Sequence, residues 1–236
     1  MTETYTVTAE FYDLLQAAQH RAVTVPLLDR WLGRPVVGVL DVGAGTGLDT
    51  VLLAERCDVT VHAVEPSSTM RAVLLGRLTA RADLLARVRV HAREVERLGL
   101  AGVADFAWCR NTVSGFDTAG RAAALAAMAT ALVPGGRLVV QRPPAVALPD
   151  RGDLPSVLVG GDLYSGELTT TPVGDQRVRW RFAYRVSRDG ALVRQEDETF
   201  EGHVVTPEAF ARELAAAGFT VEAEDIGDTV VARRVA

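Results

Sequence analysis

Three glycines at alternate positions, directly behind an apolar run, constrain this chain more than any other feature. The stretch is VLDVGAGTGLD, Val39 to Asp49. Glycine at 43, 45 and 47 lets the backbone turn sharply out of a strand and lie flush against a ligand, because no Cβ intervenes. A helix starting near Gly47 presents free N–H groups that favour an electron-rich group. The main chain is bare there because something must touch it.

The surrounding sequence supplies the sheet that such a turn leaves. RPVVGVLDV reads as a buried strand, GLDTVLLAERC as a helix and VTVHAVE as a second strand. SSTMRAVLLGRLTARADLLA is helical and leads to a third strand, RVRVHA; ADFAWCRN is a fourth. An Ala- and Leu-rich helix, TAGRAAALAAMATAL, then passes through PGG into a fifth strand, RLVVQR. Alternation of this kind predicts a doubly wound α/β core, a mostly parallel sheet covered by helices on both faces. Further on, PPAVALPDRGDLPSVLVGG reads as an irregular connection, and QRVRWRFAYRVS with LVRQEDETFEGHVV as a β-hairpin turned at Asp189-Gly190. Thr206 caps a helix with Pro207 at its first position, which ends at Gly218; two more strands close the chain. We expect a single domain over 1–236, with a seven-stranded Rossmann-like core (36–141 and 206–236) and a lid made by the N-terminal helix and the hairpin (1–35 and 142–205).

Bulk properties narrow the function. A chain of 236 residues with 48% hydrophobic and 23% charged residues suits a globular protein with a substantial core. A net charge of −5 argues against broad attraction to nucleic acid or anionic membrane. Cys57 and Cys109 are the only cysteines, giving neither a disulfide framework nor a metal signature. The first residues lack a basic leader followed by an apolar stretch, and no apolar run reaches membrane-spanning length, so a cytoplasmic location is expected.

Glycine-rich turns also hold dinucleotides, but the spacing here is Gly-x-Gly-x-Gly behind Asp41, not Gly-x-Gly-x-x-Gly. Glu65, ending the second strand, is placed to accept both hydroxyls of a ribose, which suits either nicotinamide or adenosyl ligands. Together, VLDVGAGTG, VEPSSTM and LVPGGRLVV resemble, in order and separation, the class I S-adenosylmethionine-dependent methyltransferases, over about Val36 to Gln141. The resemblance implies that Gly43, Ala44, Gly45 and Gly47 contact the amino-acid and ribose parts of the cofactor and that Asp41 supports their turn. It also implies that Glu65 holds the ribose, that Pro66 to Met70 border the adenine, and that S-adenosylhomocysteine is the product. After the third strand the family often has Gly-Asp, whose carboxylate receives the adenine amino group. Here HAREVE puts Arg93 at that place, leaving Glu94 or the backbone around Val95 for the contact. Asn111, ending the fourth strand, lies where the site meets the methyl group.

Substrate choice belongs to the lid. AEFYDLL resembles the Tyr-Asp segment of small-molecule methyltransferases of this class, so Tyr5 and Tyr12 are expected to close over the methionine end, unless they simply pack the helix. His20 is a candidate to face the pocket. In RVRWRFAYRV, Trp180, Phe182 and Tyr184 share one strand face and the arginines the other. A two-residue turn puts them opposite Thr199, Asp197 and Gln195, with Glu201 against Val178 and His203 near Gln176. That face suits a partly polar organic substrate; the alternative is packing against the core or a second subunit, which leaves open a homodimer through the lid. His203 is the leading acid–base candidate, since an imidazole titrates near ~6.5 and its place before VVTPEAF resembles that in antibiotic-sugar N-methyltransferases. Asp197 and Glu201 are candidates to orient an amine or hydroxyl.

The expected function is S-adenosylmethionine-dependent methyl transfer to an oxygen or nitrogen of a small molecule, a secondary metabolite. An alternative keeps the cofactor but promotes a cyclisation or rearrangement without net transfer. A nicotinamide-dependent oxidoreductase is disfavoured by the glycine spacing and VPGG, and a noncatalytic binder predicts cofactor binding without turnover. CRNTVSG lacks the Asn/Asp-Pro-Pro-Tyr/Phe motif of base methylation.

Overall fold

The chain is described here by a computed structural model, over residues 5–235. Its central sheet places β1 (Val39–Val42) between β2 (Val61–Val64) and β4 (Ala104–Cys109), all parallel. Outside these lie β3 (Val88–His91) and β5 (Leu132–Gln141), then β11 (Thr229–Arg234) and β10 (Phe219–Asp225), the last two added antiparallel. The order β10-β11-β5-β4-β1-β2-β3 confirms the expected seven-stranded, mostly parallel sheet. β1 and β2 are buried throughout, as strands covered on both faces must be.

On one face α2 (Leu48–Arg56), α3 (Ser68–Thr79), α4 (Ala82–Leu85) and the C-terminal half of α1 (Thr8–Trp31) enclose a core of Leu27, Leu28, Leu53, Leu74, Phe106 and Trp108. On the other, α5 (Thr118–Ala131) and α6 (Pro207–Ala216) cover Leu40, Val42, Leu138 and Val140 through Leu125, Met128, Phe210 and Leu214. Thr206 caps α6 from its side chain and Pro207 begins it, as read from the sequence. Strand order reverses between β1 and β4, so a crevice opens at the carboxyl ends of those strands, where open α/β sheets take ligands. No helix among the described residues is long and apolar enough to cross a membrane.

The segment after β5 differs from expectation. Instead of an irregular connection and a lone hairpin it forms a four-stranded antiparallel sheet, β6 (Asp150–Val159), β7 (Asp162–Val173), β8 (Arg177–Arg188) and β9 (Ala191–His203), in that order. Proline in β6 disguised it: β6 is an edge strand, and Pro155 falls where its register breaks between Leu154 and Val157. The two-residue turn at Asp189-Gly190 is present, with both φ angles positive. A register break between Val186 and Ser187 then shifts the hairpin by one residue. Trp180 therefore pairs with Phe200, Phe182 with Glu198 and Tyr184 with Glu196, correcting the expected partners. A slip of one turns every side chain of β9 to the opposite face.

α1 joins the two sheets. Phe11 and Leu15 in its first half pack with Tyr184 and Val186 of the second sheet, while Leu27 and Leu28 belong to the central core.

At the β2–β3 edge, the His62 and His91 rings stack and share a hydrogen bond, Nδ1 to Nε2, of 3.1 Å. Burial, then the His91 and Arg89 charges, hold the His62 imidazole down at about 4; burial, then Arg93 and Arg89, lower His91. A histidine depressed on folding adds stability above its unfolded value near 6.5, and this is lost as pH falls toward 4. We predict that His62→Gln removes on the order of 2 kcal/mol of the pH dependence of unfolding between pH 7 and pH 4.5. Denaturant titrations at both pH values check this; equal slopes for both proteins would remove the pair from the account.

Candidate active site

The turn after β1 is built as its sequence demands. Gly43, Gly45 and Gly47 all have positive φ, and the Gly43 and Ala44 N–H groups both donate to the Val64 carbonyl (2.9 and 3.0 Å). The glycines serve different ends. A Cβ on Gly43 would stand 2.0 Å from Thr112 Oγ1, and one on Gly47 3.0 Å from Leu74 Cγ, so packing forbids side chains at both. At Gly45 nothing lies closer than 3.9 Å, so its face is open. Gly47 starts α2 with no side chain capping its N–H groups.

Glu65 turns toward that bend from the end of β2. Its Oε2 accepts from the Gly45 N–H (2.8 Å) and its Oε1 from the Ser67 N–H (2.7 Å). Burial raises its pKa, opposed by those two N–H groups and by Arg71. A carboxylate fixed on one side by two main-chain donors keeps its other lone pairs for a vicinal diol. Asp41, fully buried beneath the turn, accepts from Thr50 Oγ1 (2.5 Å). Burial, then the Asp49 charge, push its pKa up to about 8 against the Thr50 hydroxyl, and that hydrogen bond ties β1 to α2.

The other candidates for the cofactor divide. Met70 is buried at the start of α3 and Pro66 is exposed, its carbonyl held by Arg71. The Val95 side chain belongs to the central core, and Glu94 pairs with Arg97 at 3.6 Å. Asn111 has φ of +53°, takes Gln141 Oε1 on its N–H (3.1 Å) and hydrogen-bonds the Tyr12 phenol from its side chain. Tyr12 thus comes over the end of β4, its pKa raised by burial and by Asp49.

His20 also faces inward. Its Nε2 lies 2.7 Å from Asp49 Oδ1, while Asp49 Oδ2 accepts from Trp108 Nε1 at 2.7 Å. Burial raises the Asp49 pKa, but His20, Trp108 and Arg110 outweigh it and leave the carboxyl below its usual range. The carboxylate fixes the ring's orientation. Asp49 and Arg110 escaped the sequence reading as site residues. Asp49 stands two residues beyond Gly47, and that place was the available signal.

The second sheet contributes differently from expectation. Asp197 pairs with Arg181 (2.9 Å), and Glu201 with Arg177 and Arg179, all on the exposed outer face. His203 lies opposite Arg177 on that face, away from the aromatic one. Tyr184 is fully buried, stacked on Phe11 with centroids 4.4 Å apart, and bonds Thr8 through its hydroxyl (3.2 Å). Trp180 packs on Gly202, and Phe182 meets Phe200 edge to face. Glu198 and Phe200 take the places expected of Asp197 and Thr199, and Gly202 that expected of Glu201. Glu198 accepts from the Thr6 and Thr8 N–H groups (3.0 and 2.8 Å) at the start of α1, and Phe200 stacks on Tyr5 at 4.6 Å. The Tyr5 carbonyl accepts from Thr69 Oγ1 (3.0 Å), and burial, then Glu65 and Glu198, push its phenol up to about 12. Tyr5 thereby closes the space between Glu65 and the second sheet.

Residues 39–136, from β1 through the turn into β5, match the family described as "Methyltransferase domain". This segment, fewer than half of the chain's residues, is similar to a methyltransferase domain. Among solved structures, the S-adenosylmethionine-bound amino pentose methyltransferase of calicheamicin biosynthesis from Micromonospora echinaspora is similar at 24% identity. The match covers 93% of this chain and 91% of that one, with a TM-score of 0.70. A sugar N-methyltransferase from Streptoalloteichus sp. is similar at 23% identity over 100% and 94% of the two chains, with a TM-score of 0.71. The [4+2]-cyclase SpnF shares the fold at 17% identity, over 91% and 81%, with a TM-score of 0.59. No curated protein matches the chain in sequence. The whole chain therefore has the fold of class I methyltransferases, the second sheet included in the aligned length.

Proposed function

We propose that this protein transfers a methyl group from S-adenosylmethionine to a nitrogen or oxygen of a small, sugar-like metabolite. The observation that carries the reading is Glu65, buried at the end of β2 and fastened by the Gly45 and Ser67 N–H groups beside an open Gly45 face. The ligand's ribose diol donates to this carboxylate, and the turn braced by Asp41 receives the chain that follows the ribose. Met70 and Pro66 border the base. Bound there, the cofactor supplies an electrophilic methyl on a sulfonium that is already a good leaving group. What remains for the protein is alignment and proton removal.

For proton removal, His20 replaces His203. Its Nε2 is held by Asp49, and it shares the inner side of α1 with Tyr12 at a ring distance of 6.4 Å. A carboxylate that orients an imidazole also stabilises it once protonated. Tyr5, seated between Glu65 and Phe200, excludes water from the same space. Sugar-like acceptors are favoured by the titles of two similar structures, which name an amino pentose and a sugar as the methylated partners.

Methyl-labelled S-adenosylmethionine incubated with nucleotide-linked amino sugars and their hydroxyl counterparts tests the reading. Label in the product and release of S-adenosylhomocysteine are expected. The likeness to a cyclase supports a second reading, for which the expected product is a rearranged acceptor of unchanged mass.

A further inference from the structure

The pole of the central sheet opposite the crevice carries a cavity of different construction. It measures about 240 Å³ and opens at the amino ends of β1, β4 and β5, where Gly33, Arg34, Asp105, Gly135, Arg137 and Arg233 contribute to its lining. The four residues of β1, roughly 13 Å at about 3.3 Å each, separate it from the bare turn.

Two of its arginines stand where charge alone would not put them. Arg137 and Arg233 are direct partners in the antiparallel β5–β11 register, and like charges directly opposite one another destabilise a sheet. They share one carboxylate: Glu222 of β10 accepts from Arg137 Nε at 3.3 Å and from Arg233 Nε at 2.5 Å. Each also gives its Nη1 to the main chain, Arg137 to the Trp31 carbonyl (3.0 Å) and Arg233 to the Gly135 carbonyl (2.8 Å). Both guanidinium forks are thereby fixed by two bonds, and the Nη2 of each has no acceptor among the described residues.

Arg34 adds a third cation. It is exposed and has no hydrogen-bond or ion-pair partner among the described residues. Gly33, with φ of +64°, ends the run of α1 before it, and Pro35 disfavours helix in the residue it follows, so the backbone at Arg34 is confined from both sides. Asp105, the carboxylate in the lining, is already engaged by the Val36, Val37 and Gly38 N–H groups at 2.8, 3.2 and 3.2 Å. With Glu222 counted, the side chains about the cavity carry three positive charges against two negative ones, in a chain whose net charge is −5. The glycines keep its walls open: no heavy atom lies within 4 Å of the place a Cβ would take on Gly33 or Gly135. Fixed guanidinium forks around a space of roughly eight waters, at about 30 Å³ each, suit a tetrahedral oxyanion that accepts several N–H bonds at once.

We propose that this cavity binds phosphate, free or as the monoester of a small metabolite, through Arg34, Arg137 and Arg233. The site is separate from the methyl-transfer centre, and the inference does not rest on that reading. The bound anion relieves the repulsion between the two opposed arginines and ties the end of α1 to β5 and β11, so that binding stabilises the fold.

Thermal melts of the full chain in graded inorganic phosphate, and in graded glucose 1-phosphate, test this against sodium chloride of equal ionic strength. A saturable rise of roughly 3–6 °C is expected at about twenty times the Kd, with no such rise in sodium chloride. Arg34→Gln, which breaks no contact among the described residues, is expected to move the midpoint to about 10-fold higher phosphate. Arg212→Gln, on the exposed side of α6, makes the same change in net charge and should leave the midpoint where it is. An ester that matches or exceeds inorganic phosphate assigns the site to a metabolite, and an ester that fails where phosphate binds assigns it to the free anion. A rise no greater than in sodium chloride overturns the proposal. So does a midpoint unmoved by Arg34→Gln, or one moved equally by Arg212→Gln.

Discussion

Glu65→Ala is expected to weaken binding of S-adenosylhomocysteine by about 100-fold, with the fold intact. Two charge-assisted hydrogen bonds from a ribose are lost, together worth about 3 kcal/mol, which corresponds to that factor. The substitution also strips the Gly45 and Ser67 N–H groups of their acceptor, so the turn loses its fastening along with its ligand contact. Glu65→Gln separates the two effects. An amide offers one oxygen but turns an NH2 group toward a main-chain donor, so affinity falls nearly as far although size is conserved. Isothermal titration gives the numbers, and circular dichroism checks the fold. Loss of less than about 3-fold in either variant would mean that the ribose is held elsewhere.

Stability should be most sensitive at a site remote from the ligand. Arg121 of α5 is only 2% exposed and grips Glu213 of α6 with two parallel bonds of 2.7 Å, while its third arm donates to the Phe116 carbonyl at 2.7 Å. Glu213→Ala leaves that guanidinium buried without its counter-charge, which costs about 3–5 kcal/mol. For a domain of this size the melting temperature falls by roughly 10 °C. The double variant Arg121→Met, Glu213→Leu should regain most of the loss, because an apolar pair removes the stranded charge as well as the bond. Thermal melts of the two variants decide: a single variant within about 1 kcal/mol of wild type, or a double variant no better than the single, would show that the pair is not what clamps α5 to α6.

The legible and illegible parts of this protein differ in how local their causes are. The turn at Gly43–Gly47, Asp41 beneath it and Glu65 at the next strand end are local consequences of strand, turn and helix chemistry. They stand where the sequence puts them. β6 was missed because its residues are largely exposed and Pro155 argues against a strand unless that strand is known to be an edge; β7 was missed because it is mostly half-buried and fully buries only Gly166 and Glu167, so no apolar alternation marks it. The reversal of Asp197, Glu201 and His203 has a single cause, the extra residue in β9 opposite the Val186–Ser187 step. Nothing in RDGALVRQ announces it. The His20–Asp49 and Arg110–Thr24 contacts join residues 29 and 86 positions apart, so they exist only once α1 has been laid across the sheet.

α1 has a mechanical consequence. Twenty-four residues make a rod of about 36 Å, anchored by Phe11 and Leu15 at one end and by Leu27 and Leu28 at the other. Tyr12, Gln16 and His20 ride on its middle, so tilting the outer sheet swings all three together, like teeth on one lever. Pro26 deprives the rod of a backbone hydrogen bond just before its inner anchor. On the proposed function, any such tilt would reach the residues that border acceptor and cofactor together.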